Sequence, residues 1–159
     1  MTQLISLDQH DISDVRRIAS LRVEYCQQVQ AGYSPYFAGD RLEHEINSFG
    51  AEIAFCRMTR ATPDMNPRHF APYDAVVNGQ RIDVKFSLRM DARLQAKAIK
   101  EWKTKPDYFV LMVGRLPVYL FCGYMRADDL LRPGRIDAST RQWTAVYSAS
   151  QDELYQEMY

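Results

Sequence analysis

The stretch that decides the fold is APYDAVVNGQRIDVKFS, from Ala71 to Ser87. Two strand-forming runs flank Asn78-Gly79, the pair that best tolerates the positive φ angles of a tight type I′ turn. This pattern predicts a β-hairpin with a first strand over 73–77 and a second strand from 80 or 81 to 86.

Three charged side chains of the hairpin suggest chemistry: Asp74, Asp83 and Lys85. Because side chains alternate along a strand, Asp83 and Lys85 share one face, and Asp74 on the neighbouring strand can come opposite them. Two carboxylates beside an ammonium suit a hard divalent cation bound by oxygen ligands. The alternatives are a strand-edge acid at Asp74 and a surface ion pair between Asp83 and Lys85, which contributes little energy.

The composition is that of an ordinary globular protein. The chain has 159 residues, is 47% hydrophobic and 25% charged, and carries a formal net charge of zero, so we expect a single domain over 1–159. No global field attracts nucleic acid, and any basic surface must be local. No two of the cysteines form a CxxC pair, which argues against a zinc ribbon and favours a reduced, cytoplasmic setting. The N-terminus does not resemble a signal peptide, and no apolar stretch approaches the length of a membrane span.

Two helices are predicted upstream of the hairpin. Apolar residues at helical spacing predict the first over 11–31, with Asp11 or Ser13 as its cap and a packing role. The second begins at Asp40, which is followed by Glu at the third helical position, the spacing of a capping box.

Two glutamates of the second helix are candidate site residues. Glu45 and Glu52 are seven residues apart and lie at the border of the apolar stripe of this helix. Partial burial of a carboxylate at such a border costs desolvation free energy unless the carboxylate has a partner, such as a metal ion or the hairpin lysine. The alternative is that one or both of them reach out to water.

A third helix is predicted after the hairpin, from Asp91 to about Trp102. One face of it would be basic, and the functional interpretation of this face is contact with phosphates. The alternative is a solvated surface, because Lys and Arg are good helix formers. The residues of this face are Arg89, Arg93, Lys97 and Lys100.

Further elements are predicted towards the C-terminus. The runs over 107–113 and 118–125 are apolar, aromatic and β-branched, which predicts two buried strands. A short helix is expected over 127–131, and an edge strand over 143–147.

This order of elements resembles the PD-(D/E)XK nuclease superfamily. The residues that carry the resemblance are Pro72-Tyr73-Asp74, Asp83-Val84-Lys85 and the helical Glu52, within about residues 40–125. The chain departs from the motif of this superfamily in one respect, because Tyr73 separates Pro72 from Asp74. Position 83 holds Asp rather than Glu, which the superfamily accepts. The implied fold is α/β, with a restriction-endonuclease-like core. This core is a central mixed β-sheet flanked by helices, with the N-terminal helix and residues 126–159 as additions.

The resemblance implies a nuclease that depends on a divalent metal and hydrolyses phosphodiester bonds in DNA. Mg²⁺ or Mn²⁺ would be bound by Asp74, Asp83 and the backbone carbonyl of Val84. Glu52 would bind through water or complete a second metal site, with Glu45 in reserve for that role.

The remaining residues would act on water and on the DNA backbone. Lys85 would orient or deprotonate the attacking water and offset charge that develops on the phosphate. Ser87 and the basic face would position the DNA. Small nucleases of this type often act as dimers, so a homodimer is possible, and a phage, a mobile element or a repair pathway would suit such an enzyme.

Two other functions stay open at this point. One is a nuclease-fold protein that has lost cleavage and acts as a DNA-binding or complex-assembly module. The other is an interaction module without a nucleic-acid role, in which the charged hairpin is incidental.

Overall fold

The computed structural model describes residues 2–29, 40–68, 71–98, 104–138 and 145–158. Over these residues the chain has an α/β fold, with a mixed five-stranded sheet, a second sheet of three strands and three α-helices. The α/β class and the mixed central sheet agree with the sequence-based prediction.

The first helix, α1 (Gln9–Val29), begins earlier than its apolar spacing predicts. The Asp8 carboxylate accepts a hydrogen bond from the Asp11 N–H at 2.8 Å, so Asp8 is the cap and the predicted caps Asp11 and Ser13 are wrong. Asp11 is buried instead, and its carboxylate accepts hydrogen bonds from Arg57 at 2.5 and 3.0 Å. The predicted end near residue 31 lies outside the described residues.

The second helix, α2 (Arg41–Thr59), packs against α1. Its predicted cap is confirmed, because the Asp40 carboxylate accepts hydrogen bonds from the Leu42 N–H at 2.9 Å and the Glu43 N–H at 3.2 Å. Its C-terminal cap is Arg60, which takes a left-handed conformation with φ 60°. The helix therefore has well-defined ends.

Eight strands form the two sheets. The larger sheet has the order β1-β6-β5-β3-β2, in which β3 and β5 are parallel and the other neighbours are antiparallel. The smaller sheet has the order β4-β8-β7 and is antiparallel. The strands are β1 (Gln3–Ser6), β2 (Ala75–Val77), β3 (Gln80–Ser87), β4 (Leu94–Lys97), β5 (Tyr108–Arg115), β6 (Val118–Arg126), β7 (Ile136–Asp137) and β8 (Val146–Ala149).

The predicted hairpin is confirmed as β2 and β3. Asn78 and Gly79 join the strands with φ values of 49° and 78°, both positive as a type I′ turn requires. The buried strands predicted over 107–113 and 118–125 are β5 and β6, and the predicted short helix is α3 (Ala127–Leu130).

The helix predicted from Asp91 to about Trp102 is wrong over its described part. Residues 94–97 form β4, which pairs antiparallel with β8. Leu94 and Ala96 are buried while Lys97 is exposed, so the true period is two, and four residues are too short to reveal it. β8 lies at the centre of its sheet rather than at the predicted edge. Residues 99–103, 143 and 144 lie outside the described part of the chain.

The larger sheet separates two hydrophobic cores. One core lies between this sheet and the helices α1 and α2. The other lies on the opposite face and includes residues of the smaller sheet and of α3. A strand of the larger sheet can therefore present alternate side chains to two different layers.

The three cysteines are unpaired. Cys26 is half-buried, whereas Cys56 and Cys122 are buried. Burial raises the pKa of Cys56 to about 12 and that of Cys122 to about 11, so both thiols stay protonated near neutral pH. Among the described residues, none of the helices combines the length and the apolar character needed to cross a membrane.

Candidate functional site

Asp83 and Lys85 lie in the middle of β3 and form an ion pair. The Lys85 Nζ and an Asp83 carboxylate oxygen are 2.7 Å apart, and their side chains are 35% and 13% exposed. The Lys85 Nζ also lies 5.8 Å from the centroid of the Phe109 ring. Ile82 and Val84, which alternate with this pair, pack into the core beneath α2. The charged pair therefore faces away from α2, as strand alternation predicts.

Asp74 lies immediately before β2, where the hairpin opens. Its N–H donates to the Ile82 carbonyl at 2.8 Å, and its carboxylate accepts from the Val84 N–H at 2.7 Å. These two bonds bracket residue 83, so Asp74 lies beside Asp83 across the hairpin. Burial first, and then the negative charge of Asp83, raise the pKa of Asp74 to about 6.

The backbone of Val84 contributes to the same edge. The N–H and C=O groups of one strand residue point to the same side, and the Val84 N–H points to Asp74. β2 begins only at Ala75, which pairs with Ile82, so β2 itself does not extend to Val84. The Val84 carbonyl therefore points to the open edge on which the Asp74 carboxylate lies.

Glu52 approaches the hairpin from α2. Its side chain is 15% exposed, and its carboxylate lies 3.4 Å from a terminal nitrogen of Arg22. Burial raises the pKa of Glu52 well above its usual range, and the negative charge of Asp74 raises it further, while Arg22 opposes both effects. The influence of Asp74 indicates that these two carboxylates lie close enough to interact electrostatically.

Arg22 belongs to this site, although its apolar spacing on α1 predicts only packing. Its Nη1 lies 3.4 Å from Glu52 and 3.5 Å from Glu45. Its Nη2 donates to the Asp64 carbonyl at 3.3 Å, and its guanidinium carbon lies 4.1 Å from the centroid of the Phe49 ring. The signal that points to it is an arginine at an apolar helical position, because a buried guanidinium requires carboxylate partners.

The structure thus arranges Glu52, Asp74 and Asp83 as successive electrostatic neighbours. Each acid has its own donor: a guanidinium for Glu52, a backbone N–H for Asp74 and an ammonium for Asp83. Within the described ranges, no group of three or more His, Cys, Asp or Glu side chains is arranged so that it could hold a metal ion. Asp74 is thus the acid that interacts with both of the others, Glu52 and Asp83.

Two of the predicted DNA-contacting residues lie at or just beyond the C-terminal end of β3. Ser87 ends β3, and its hydroxyl accepts a hydrogen bond from the Arg89 N–H at 3.1 Å. The Arg89 guanidinium forms a two-bond ion pair with Asp91, at 2.8 and 3.0 Å. Arg89 is exposed beyond the end of the hairpin, where its charge is partly neutralised.

The other predicted basic residues do not form a helical face. The Arg93 Nε donates to the Ser148 hydroxyl at 2.7 Å, which ties Arg93 to the smaller sheet. Lys97 is exposed at the end of β4, and Lys100 lies outside the described residues. The predicted single basic face is wrong because the helical spacing that defined it is absent.

Comparison of the chain with protein-family models, with curated proteins and with solved structures found no match.

Proposed function

We propose that this protein is a divalent-metal-dependent nuclease of the PD-(D/E)XK type, with a restriction-endonuclease-like core, that hydrolyses phosphodiester bonds in DNA. One observation carries the proposal: the backbone and side-chain bonds of Asp74 bracket residue 83, which places Asp74 beside Asp83, with Lys85 paired to Asp83 at 2.7 Å. A structural hairpin does not need two half-buried carboxylates that raise each other's electrostatic energy.

The donor set fits Mg²⁺ or Mn²⁺. Carboxylate and carbonyl oxygens are the ligands of such hard cations, and Asp74, Asp83 and the Val84 carbonyl would supply them, with Glu52 nearby. The raised pKa of Asp74 has the same implication, because a bound cation would relieve the repulsion that raises it. When bound, the metal would polarise the scissile phosphate and lower the pKa of a bound water.

Lys85 would act on the attacking water, and the residues at the end of β3 would contact the DNA. Lys85 would orient the attacking water and offset negative charge on the phosphate in the transition state. The Arg89 side chain would contact the DNA backbone after it releases Asp91. The ion pair between Arg89 and Asp91 is exposed and therefore costs little to break. The partner in this proposal is DNA, and a homodimer stays a prediction from the sequence.

A second candidate function is a DNA-binding or assembly module of the same fold without cleavage. Arg22 favours it, because its guanidinium already contacts Glu52 and Glu45. A resident cation of this kind supplies the charge that a metal would otherwise bring to the helix side of the site.

The deciding experiment is a cleavage assay on linear, nicked and single-stranded DNA, with Mg²⁺, with Mn²⁺ or with EDTA. We expect metal-dependent cleavage that falls at least about a hundredfold, or about 3 kcal/mol of transition-state stabilisation, in Asp83→Asn and in Lys85→Met. The matched control is Asp107→Asn, because Asp107 also pairs with a basic residue of β3, Arg81, but lies at the other end of the strand.

Three results separate the candidates. Cleavage that persists in EDTA, or that is undiminished in Asp83→Asn, would refute the nuclease proposal. DNA retention at low salt without cleavage would support the binding module. If the protein neither retains nor cleaves DNA, the interaction module remains as the interpretation.

A further inference from the structure

We propose that Arg22 is a resident counter-ion of the candidate site, which competes with a divalent cation for Glu52. The inference rests on the proposed metal-dependent function and concerns how metal loading is controlled. In the metal-free protein Arg22 would neutralise Glu52. On metal binding it would release Glu52 and stay beside Glu45.

The contacts of Arg22 are suited to such an exchange. One nitrogen, Nη1, is shared almost equally between Glu52 and Glu45, at 3.4 and 3.5 Å. Charge-assisted hydrogen bonds are normally about 2.7–2.9 Å long, so neither contact is a tight bond. The Nε of Arg22 is buried and has no acceptor among the described residues. The guanidinium is therefore held in place without the two-bond fork that would fix it to one carboxylate.

The remaining contacts would survive the exchange. The Asp64 carbonyl accepts from Nη2 at 3.3 Å, and the Phe49 ring lies 4.1 Å from the guanidinium carbon. Neither contact involves Glu52. Arg22 can thus give up Glu52 and retain a carbonyl, an aromatic face and the carboxylate of Glu45.

The charge balance gives the exchange its direction. Beside the hairpin, the three carboxylates of Glu52, Asp74 and Asp83 accompany two cationic side chains, those of Arg22 and Lys85. This leaves a formal deficit of one positive charge, which a divalent cation would more than supply. Removing Arg22 enlarges the deficit and removes the repulsion between the guanidinium and an incoming metal ion. The metal should then bind more tightly, not more weakly.

The test measures Mn²⁺ binding by calorimetry to metal-free wild-type protein and to Arg22→Gln, at a slightly alkaline pH. We expect Arg22→Gln to bind Mn²⁺ at least about tenfold more tightly, equivalent to about 1.4 kcal/mol. The matched control is Arg57→Gln, which breaks another ion pair between α1 and α2, that of Arg57 with the buried Asp11. It should lower the melting temperature and leave the Mn²⁺ affinity unchanged.

A second readout is thermal melting in EDTA and in Mn²⁺. Arg22→Gln should melt below wild type in EDTA, because Glu52 and Glu45 lose their counter-ion, and Mn²⁺ should raise its melting temperature more than that of wild type. An equal or smaller rise, or an equal or weaker Mn²⁺ affinity, would overturn the proposal.

If Arg22→Gln does not fold, the wild-type protein decides the question. The NMR signal of the Arg22 Nε–H, identified by its loss in Arg22→Lys, should shift as Mg²⁺ is added, and an unchanged signal would overturn the proposal.

Failure of the nuclease proposal can be distinguished from failure of the counter-ion inference. If wild-type protein cuts DNA but Arg22→Gln shows no gain in affinity, only the counter-ion inference fails. If wild-type protein neither cuts nor binds Mn²⁺, the nuclease proposal fails, and metal binding by Arg22→Gln alone decides the inference.

Discussion

Gly50→Ala should destabilise this protein, although alanine is the better helix former. Gly50 lies in α2, on the face that packs against β6. A Cβ atom on Gly50 would lie 2.1 Å from the hydroxyl oxygen of Tyr119 and 2.9 Å from its Cζ atom. Tyr119 is fully buried, and its hydroxyl donates to the Asn47 carbonyl at 3.0 Å. The ring cannot step aside without losing this hydrogen bond.

The magnitude follows from three contributions. Overpacking of a well-filled core costs about 1–3 kcal/mol. A buried hydroxyl that loses its acceptor costs a further 1–3 kcal/mol, roughly. The gain in helix propensity from Gly to Ala offsets about 1 kcal/mol. We therefore expect the free energy of unfolding to fall by roughly 3 kcal/mol.

The assay is urea unfolding followed by circular dichroism, arranged as a double-mutant cycle with Tyr119→Phe. Removing the hydroxyl removes the atom that clashes most, so Gly50→Ala should cost less by about 1 kcal/mol or more in the Phe background. Gly134→Ala is the matched control, because no atom of the described residues, apart from its two chain neighbours, lies within 4 Å of its Cβ position, and its φ is not in the left-handed region. A stabilising Gly50→Ala, or an equal cost in both backgrounds, would refute the reasoning.

Three further predictions concern other parts of the fold. Asp74→Asn keeps an acceptor for the backbone hydrogen bond and removes the charge. Because the pKa of Asp74 rises from 3.8 to about 6 in the fold, the folded state binds more protons than the unfolded state between these values. Stability of the metal-free wild type should then fall by up to about 3 kcal/mol as the pH rises through this window, and urea unfolding against pH should show a smaller fall in the variant, where the raised pKa of Glu52 still contributes. Arg57→Met leaves the buried Asp11 carboxylate without its partner, and it should lower the free energy of unfolding by about 2 kcal/mol; an unchanged urea midpoint would contradict this. Gly123→Ala places a Cβ 2.7 Å from the Tyr155 carbonyl oxygen at a φ of 127°. Hydrogen exchange at the Tyr155 N–H should accelerate, and protection equal to wild type would show that the tail is not held there.

Local signals in the sequence were enough to predict the hairpin and the start of α2. Asn78-Gly79 specifies its turn through φ angles that few other pairs tolerate. Asp40 specifies its helix start through hydrogen bonds to N–H groups two and three residues away. Both devices act within a few residues, so one sequence is sufficient to reveal them.

Structure that depends on distant partners was not predictable in the same way. β4 is a strand because β8, some fifty residues further on, supplies its hydrogen bonds, and its own four residues fit a helix equally well. The role of Arg22 depends on Glu45 and Glu52, which a different helix brings to it. Spacing along α1 shows that Arg22 faces inward, but it does not show which side chains of other elements Arg22 contacts.

The unequal burial of the cysteines also gives experimental access to the molecule. Cys56 and Cys122 are buried and their thiols stay protonated, so a thiol-reactive fluorophore or spin label should react preferentially with the half-buried Cys26 of the native chain. Cys26 lies one helical turn beyond Arg22, and the two line the same cavity of about 140 Å³. A reporter of local motion can thus be attached next to the guanidinium without changing a single amino acid.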